Sequence, residues 1–113
     1  MIYMEYNRKD QSYAKQRMIK DIVEEDLRIQ VTGYFKEKIN ENLIVLDDQT
    51  GDIIVNLKDV DFKFKQNDLL NIIGDLNIKL NGEKELEAEI IQDMNNLNFE
   101  YYKKIYEIKK ELI

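Results

Sequence analysis

The fold is decided by residues 27–36, whose sequence is LRIQVTGYFK. Every second residue from Leu27 to Phe35 is apolar or glycine, and the residues between them are Arg, Gln, Thr and Tyr. A period of two predicts a β-strand with one buried and one solvated face. Gly33 lacks a side chain in the middle of this strand, which is typical of a bend or bulge where a sheet curls over.

Four further strand patterns follow this stretch. Residues 43–46 form a short continuous apolar run, which predicts a strand covered on both faces, and residues 47–52 are typical of a turn. Alternation resumes over residues 53–57, 70–80 and 86–90, and a polar connector at 58–68 turns some apolar groups inward. Five strands within about 65 residues, with glycines inside the first and fourth, predict a small curled barrel.

The length of the turn between the last two strands decides which of their side chains lie opposite each other. A two-residue turn at residues 81–82 would set Ile78 opposite Glu85 and bring acids into the core, because cross-strand partners share a face. A three-residue loop at residues 81–83 sets Ile78 opposite Leu86 instead. The other pairs of this register are Leu76 with Ala88 and Gly74 with Ile90. We therefore predict the three-residue loop, or a two-residue turn corrected by a nearby bulge.

Near residue 96 the period changes to about 3.6, which predicts a C-terminal helix over residues 96–113 with Asn96 or Asn98 as its N-cap. A helix of about 16 residues is marginal alone. Its apolar stripe must be covered by its own barrel or by partner helices, and the periodicity leaves both open. Amphipathic aromatic residues suit an interface. The candidate subunit-interface residues are Tyr101, Tyr102, Ile105, Tyr106, Ile108 and Leu112.

Composition excludes several kinds of chemistry. The 113 residues include neither cysteine nor histidine, which removes disulfides, thiol nucleophiles, cysteine zinc sites and any imidazole base. We expect no enzyme, no cofactor and no metal. The acids Asp47, Asp48 and Asp52 lack the spacing of a calcium loop and are better explained as a turn or strand-end cap. Without a long apolar run or a signal peptide, we expect an intracellular protein of the cytoplasm and nucleoid, or of the nucleus in a eukaryote.

Charge is unevenly distributed. The chain carries a net charge of -6, yet residues 1–20 hold five basic and two acidic side chains. Residues 1–16 show no clean period, so they form either a loosely docked tail or a basic, tyrosine-bearing arm that follows a phosphate backbone or docks on a partner. The rest lacks the basic stripe of a dominant nucleic-acid binder. We predict a division into this arm, a barrel at 17–95 and a helix at 96–113.

An ordered set of motifs carries a resemblance to a known family. The motifs are Arg17-x-Ile19-x-Asp21-Ile22-x-Glu24-Glu25-Asp26, Arg28-x-x-Val31-x-Gly33, Leu46-Asp47-Asp48-Gln49-Thr50-Gly51, Ile72-Ile73-Gly74-Asp75-Leu76 and Ala88-Glu89-Ile90-Ile91-Gln92-Asp93. Together they resemble the small or middle subunit of replication protein A, the archaeal small subunit above all. A departure is Gln49, where the family often has glycine; glutamine fits a type I turn but does not readily adopt a positive φ.

The resemblance implies a mainly β fold, a five-stranded OB-fold barrel with a C-terminal α-helix. It also implies a heterotrimeric complex that binds single-stranded DNA in replication, repair and recombination, in which this helix joins helices of the other two subunits. Telomere-capping proteins are relatives in the same family. The implied partners are larger OB-containing subunits and, through the complex, single-stranded DNA.

OB barrels hold single strands across their second and third strands, between the 1–2 and 4–5 loops, with stacked aromatic and basic side chains. The candidate nucleic-acid-binding residues are Tyr34, Lys36, Lys38, Phe62, Phe64 and Lys65. In the alternative interpretation, Phe62 and Phe64 cover the barrel end and Tyr34 caps the first strand. A short 4–5 loop and the acids that alternate over residues 83–89 would repel phosphates.

The leading functional prediction is therefore a non-catalytic subunit that organises a replication-protein-A-like complex through its helix and touches DNA in an auxiliary way. Two alternatives stay open at this point. One is an autonomous binder of single-stranded DNA or RNA. The other is an OB barrel used purely as a protein-interaction adaptor, with no nucleic acid.

Overall fold

The computed structural model of the chain describes residues 13–112. Its strands and helix are β1 (Lys15–Gln16), β2 (Arg28–Lys38), β3 (Leu43–Asp47), β4 (Asp52–Asn56), β5 (Leu69–Ile78), β6 (Lys84–Asp93) and α1 (Phe99–Glu111), with one turn of 3-10 helix at Ile19–Asp21. Strands β2 to β6 are the five predicted from the sequence, and they close into an OB-fold barrel followed by a single C-terminal helix. The predicted fold class is confirmed. Most of the basic arm, residues 1–12, lies outside the described residues.

The barrel closes because β2 pairs with two different strands. Residues 28–34 of β2 pair antiparallel with β5, and residues 34–38 pair antiparallel with β3. A parallel pairing of β4 with β6 joins the two halves, and the short β1 adds to β2 in parallel. Gly33 lies where β2 changes partners, and a Cβ atom there would stand 2.9 Å from the carbonyl oxygen of Asp47. A glycine at this position therefore permits the close approach of β2 to β3, and the register irregularity of β2 lies further along, between Phe35 and Glu37.

The inward-facing members of each alternating series form one core. The apolar side chains with no exposed surface are Ile29, Val31, Ile44, Leu46, Val55, Leu70, Ile72 and Leu86. The outer side chains of β3, Leu43 and Val45, are half-exposed, so the expectation that this strand is covered on both faces is wrong. None of the helical structure within residues 13–112 is long and apolar enough to span a membrane.

The predicted turn between β5 and β6 is correct in parity and wrong in length. Residues 79–83 form the connection, with Ile78 opposite Lys84 and Leu76 opposite Leu86. Gly82 adopts a φ of 88°, which glycine tolerates without strain. Even-numbered residues thus pair with even-numbered ones, as the parity argument requires, but the loop has five residues instead of three.

A bulge lies between Ile73 and Gly74, far from that turn. Gly74 pairs with Ala88 and Ile73 pairs with Ile90. Glu89, which lies between Ala88 and Ile90, is therefore left without a partner on β5. A Cβ atom on Gly74 would stand 1.9 Å from the carbonyl oxygen of Glu87, a distance that only glycine permits. Before the bulge the even-numbered residues of β6 face the core, and beyond it the odd-numbered residues do. Ile91 packs against the core while Ile90, predicted to be buried, is 43% exposed.

Two other predicted core positions also lie in solvent. Leu27 is 64% exposed and Leu80 is fully exposed. Both belong to alternating series in the sequence, but Leu27 precedes β2 and Leu80 follows β5. Outside the paired strands the backbone no longer alternates regularly, so the sequence period stops predicting which side is buried.

The turn at residues 47–51 shows how the acids there are used. Asp48 is fully buried, and its carboxylate accepts hydrogen bonds from the Ile19 amide at 2.7 Å and from the Thr50 amide and hydroxyl at 2.9 and 2.6 Å. Gln49 adopts a φ of 74°, against the expectation from residue type, and its amide donates to Asp47 Oδ1 at 2.7 Å. The acids therefore brace a turn, as predicted, and within residues 13–112 no acidic cluster is arranged to hold a metal ion.

Candidate nucleic-acid and subunit interfaces

The outer surface of β3 and β4, which carries ligands in OB barrels, is largely apolar and carries charges of both signs. It forms a depression of about 430 Å³ between the β2–β3 and β5–β6 loops, with Ile39, Val45 and Ile54 among its lining side chains. The charged residues that line it are Asp52, Glu83 and Lys84, and no aromatic side chain is among its described lining residues. We call this surface the OB ligand face. Its chemistry differs from the aromatic and basic lining that holds single strands.

Three candidate residues lie on β2. Tyr34 is half-buried because its ring meets that of Phe99 of α1 edge to face, with centroids 5.4 Å apart. The ammonium of Lys36 lies 3.0 Å from Asp52 Oδ2, and this hydrogen bond raises the pKa of Lys36. Lys38 is exposed, 4.0 Å from a Glu41 oxygen. The helix thus covers Tyr34, while Lys36 remains beside the OB ligand face.

The other three candidates lie in the β4–β5 connector. The Phe62 ring packs edge-on against Phe35 at 5.0 Å and against Phe64 at 5.3 Å, and both connector rings are half-buried against the core. Lys65 is exposed, and its backbone amide donates to Asp68. The structure therefore places the two phenylalanines as in the alternative interpretation, over the barrel end. It does not bring them to Tyr34, which lies under the helix.

The acids that alternate along β6 meet basic partners on the outer side of the sheet. Glu85 lies 3.2 Å from Lys79, Glu87 lies 3.4 Å from Lys58, and Glu89 is paired with Arg28. These pairs offset much of the negative charge that the sequence suggested. Glu83, by contrast, lies on the rim of the OB ligand face, where it would repel a phosphate.

Helix α1 has two faces. Its inner face is formed by Phe99, Tyr102 and Tyr106, of which Phe99 and Tyr106 are only 4% and 6% exposed. The outer face carries Tyr101, Ile108 and Leu112, which are 63%, 54% and 81% exposed, and Ile105 is half-buried between the faces. Asn98 caps the helix by accepting the Tyr101 amide at 3.1 Å, as one of the two predicted caps. Of the six candidate interface residues, Tyr102 and Tyr106 face this chain itself.

Polar contacts hold the inner face against the segment that precedes β2. The Tyr106 hydroxyl donates to Asp21 Oδ2 at 2.7 Å, and the Lys110 ammonium lies 3.0 Å from the same oxygen. The Gln16 amide donates to the Tyr102 hydroxyl at 2.8 Å. Burial raises the pKa of Asp21, but hydrogen bonds from Tyr106 and Lys110 outweigh it and the net pKa is lowered. Burial and the bond to Asp21 raise the pKa of Tyr106.

An ion pair that the sequence analysis missed fixes the same segment. Arg17 donates two hydrogen bonds to Asp26, both 2.9 Å long, and Asp26 also accepts the Val23 amide at 3.1 Å. Burial raises the pKa of Asp26, and the bonds from Arg17 and Val23 more than offset it. Asp26 is only 6% exposed, and no periodic pattern in the sequence signals a pair nine residues apart.

Comparisons with known proteins establish the fold and not a family. No protein-family model matches the chain, and no curated protein matches it. Among solved structures, the Stn1–Ten1 complex of S. pombe shares a TM-score of 0.73 at 17% identity over 88% of this chain and 94% of that one. The telomere-capping protein Ten1 from the same yeast gives 0.71 at 17%, over 88% and 99%.

A replication protein A heterotrimer bound to single-stranded DNA gives a TM-score of 0.53 at 13% identity, over 60% of this chain and 57% of that one. At these identities the shared property is the OB fold. The fold that the resemblance implies is thereby supported. The specific likeness to the archaeal small subunit is not.

Proposed function

We propose that this protein is a non-catalytic OB-fold subunit of a hetero-oligomeric complex that binds single-stranded DNA, joined to a larger OB-containing subunit through the outer face of α1. The observation that carries the proposal is the division of the helix into two faces. The inner face is satisfied by the chain's own residues, whereas Tyr101, Ile108 and Leu112 project an apolar surface from a helix that is already held in place. A preformed helix face loses little entropy when a partner covers it.

The comparisons support this arrangement. Two likenesses that cover 88% of the chain are to structures that contain Ten1, one of them its complex with Stn1. The likeness to the replication protein A heterotrimer spans 60% of the chain. We therefore favour a Ten1-like place as a small subunit over a place in a replication-protein-A-like trimer.

Direct contact with DNA is auxiliary in this proposal. The OB ligand face carries two carboxylates, one lysine and no described aromatic ring, Tyr34 is covered, and the chain's net charge is -6. An autonomous single-strand binder would need stacking and a positive charge on that face. The same largely apolar lining favours one second candidate, a protein-interaction adaptor that meets no nucleic acid.

Co-purification of the tagged full-length protein from its own cells, followed by mass spectrometry, tests the proposal. We expect a larger OB-containing protein in the eluate. The double variant Ile108→Asn, Leu112→Asn should reduce its yield at least about tenfold, because apolar anchors dominate interface energies. The control is Leu80→Asn, which replaces a leucine on the β5–β6 loop that is more exposed than either helix residue, and it should leave the yield unchanged.

Three results bear against the proposal. Equal loss in the control and the helix variant would refute the assignment of the interface to α1. Absence of any OB-containing partner would refute the subunit role. If the purified complex binds an oligonucleotide equally well with and without this subunit, the adaptor replaces the DNA-binding role.

A further inference from the structure

A basic groove lies between β1 and the C-terminal half of α1, away from the OB ligand face. It has a volume of about 430 Å³, and its described lining residues are Lys15, Gln16, Arg17, Tyr106, Lys109 and Lys110. Four of the six are cations and none is a carboxylate. The cations come from two parts of the chain, and the contact of Tyr106 with the segment before β2 is what brings them together.

The four cations divide into two kinds. Arg17 and Lys110 are each held in position by an ion pair, Arg17 with Asp26 and Lys110 with Asp21. Lys15 and Lys109 are exposed, and neither forms an ion pair with any residue of the described part, 13–112. The groove therefore has two positioned cations and two that are available to an incoming anion.

The groove and the OB ligand face thus differ in charge. Asp52 and Glu83 line the OB ligand face with one cation, Lys84, whereas the groove has four cations and no lining carboxylate, and lysines neutralise phosphate with the release of counterions. Tyr13 stands two residues before Lys15 and is 72% exposed, so its ring is available for stacking by a base. Repeated anions with flat bases between them are the chemistry of a single-stranded nucleic acid.

We propose that this basic groove, and not the OB ligand face, is where the subunit holds the phosphate backbone of single-stranded DNA. The inference rests on the proposed function for the identity of the polyanion. It assigns the auxiliary DNA contact to Lys15 and Lys109, on the side of α1 that faces the chain's own segment 15–21. The outer face is then left free for the partner subunit.

The test measures binding of a fluorescein-labelled oligothymidylate of about 16 nucleotides to the full-length chain by anisotropy over a salt series. The variant is Lys15→Gln, Lys109→Gln. Each phosphate contact contributes about 0.7 to the slope of log affinity against log salt for single strands. Loss of two contacts should lower this slope by about 1.4. With the two affinities equal at 1 M salt, this difference in slope makes the affinity of the variant about 25-fold lower at 0.1 M salt. Lys15→Arg, Lys109→Arg should retain both.

The matched control is Lys63→Gln, Lys104→Gln, which removes the same charge from exposed lysines outside the groove. An equal effect of this control would show that net charge alone governs binding and would overturn the assignment. Competition by polyglutamate as effective as that by unlabelled oligothymidylate would overturn it in favour of an acidic peptide. If the groove variant loses affinity for the oligonucleotide but no OB-containing partner is found in the cell, the subunit role is refuted and the assignment of DNA binding to the groove is retained.

Discussion

Replacing Phe99 by alanine tests whether α1 is held by its own barrel. The ring is 4% exposed, meets Tyr34 at 5.4 Å and Tyr102 at 5.9 Å between centroids, and has the Lys103 ammonium 4.9 Å from its centre. Truncation of a buried phenylalanine costs about 3–5 kcal/mol. Phe99 begins a helix at the surface, where the cavity is partly filled by water, so we take about 3 kcal/mol.

This free energy converts to a shift in melting temperature. The entropy of unfolding is about 2.1 cal/mol/K per residue, or about 0.24 kcal/mol/K for a chain of this length. Phe99→Ala should therefore lower the melting temperature by about 13 °C. Tyr101→Ala is the control, because Tyr101 lies on the outer face two residues away and is 63% exposed. Its cost should stay below about 0.5 kcal/mol, or about 2 °C.

Thermal unfolding followed by circular dichroism, with urea unfolding as a second measurement, compares the two variants. Equal shifts, or a larger shift for Tyr101→Ala, would show that the helix is not docked as described. A second readout comes from partner capture. Tyr101→Ala should weaken it although the isolated chain stays stable, because this tyrosine contributes to the outer face and not to the barrel.

Three further substitutions test other parts of the structure. Gly74→Ala should lower the free energy of unfolding in urea by more than about 3 kcal/mol, since its Cβ would meet the carbonyl oxygen of Glu87 at 1.9 Å; a near-neutral result would contradict the bulge. Asp26→Asn should cost about 2–3 kcal/mol at pH 7 by leaving Arg17 without its partner. The pKa of Asp26 in the folded protein lies below its ordinary value of 3.8. The stability that ionised Asp26 contributes is therefore present above about pH 4 and is lost as the pH falls through the folded pKa. Thermal melts between about pH 2 and 7 should show a smaller loss of stability in acid for the variant than for the parent. Asn98→Ala should lower the melting temperature by about 4 °C through loss of the helix cap, which costs about 1 kcal/mol, and an unchanged melt would refute the capping role.

The strands could be predicted because their cause is local. Ile29 and Val31 alternate with polar residues within a few positions of each other, and a strand buried on one face requires only that. The bulge at Gly74 could not be placed in this way. It exists because two strands approach each other, and Glu87 on β6 contributes half of the close contact. Parity along the chain indicated that even residues pair with even ones but could not distinguish a three-residue loop from one of five, since both preserve it.

The candidate site was less predictable because it depends on how a helix is rotated. Residue type alone selects Tyr102 and Tyr106 as amphipathic aromatics suited to a subunit interface, and Tyr34 as an aromatic suited to binding nucleic acid. The structure directs all three toward contacts within the chain, because Asp21 accepts the Tyr106 hydroxyl and Phe99 covers Tyr34. Those contacts join positions 85 and 65 residues apart. No period along the sequence encodes them.

The same internal contacts couple the two proposed surfaces. Tyr106 and Lys110 bind Asp21 from the inner side of α1, and Arg17 is fixed by Asp26 in the segment that α1 covers. The basic groove exists only while the helix is docked, because Lys15 of β1 and Lys109 of α1 line it from opposite elements. A partner that covers the outer face favours the docked helix over a frayed one, and so it favours the groove. By reciprocity, DNA in the groove strengthens partner binding by the same factor. Undocking the helix with Phe99→Ala should therefore weaken DNA binding as well as stability, even though Phe99 does not line the groove.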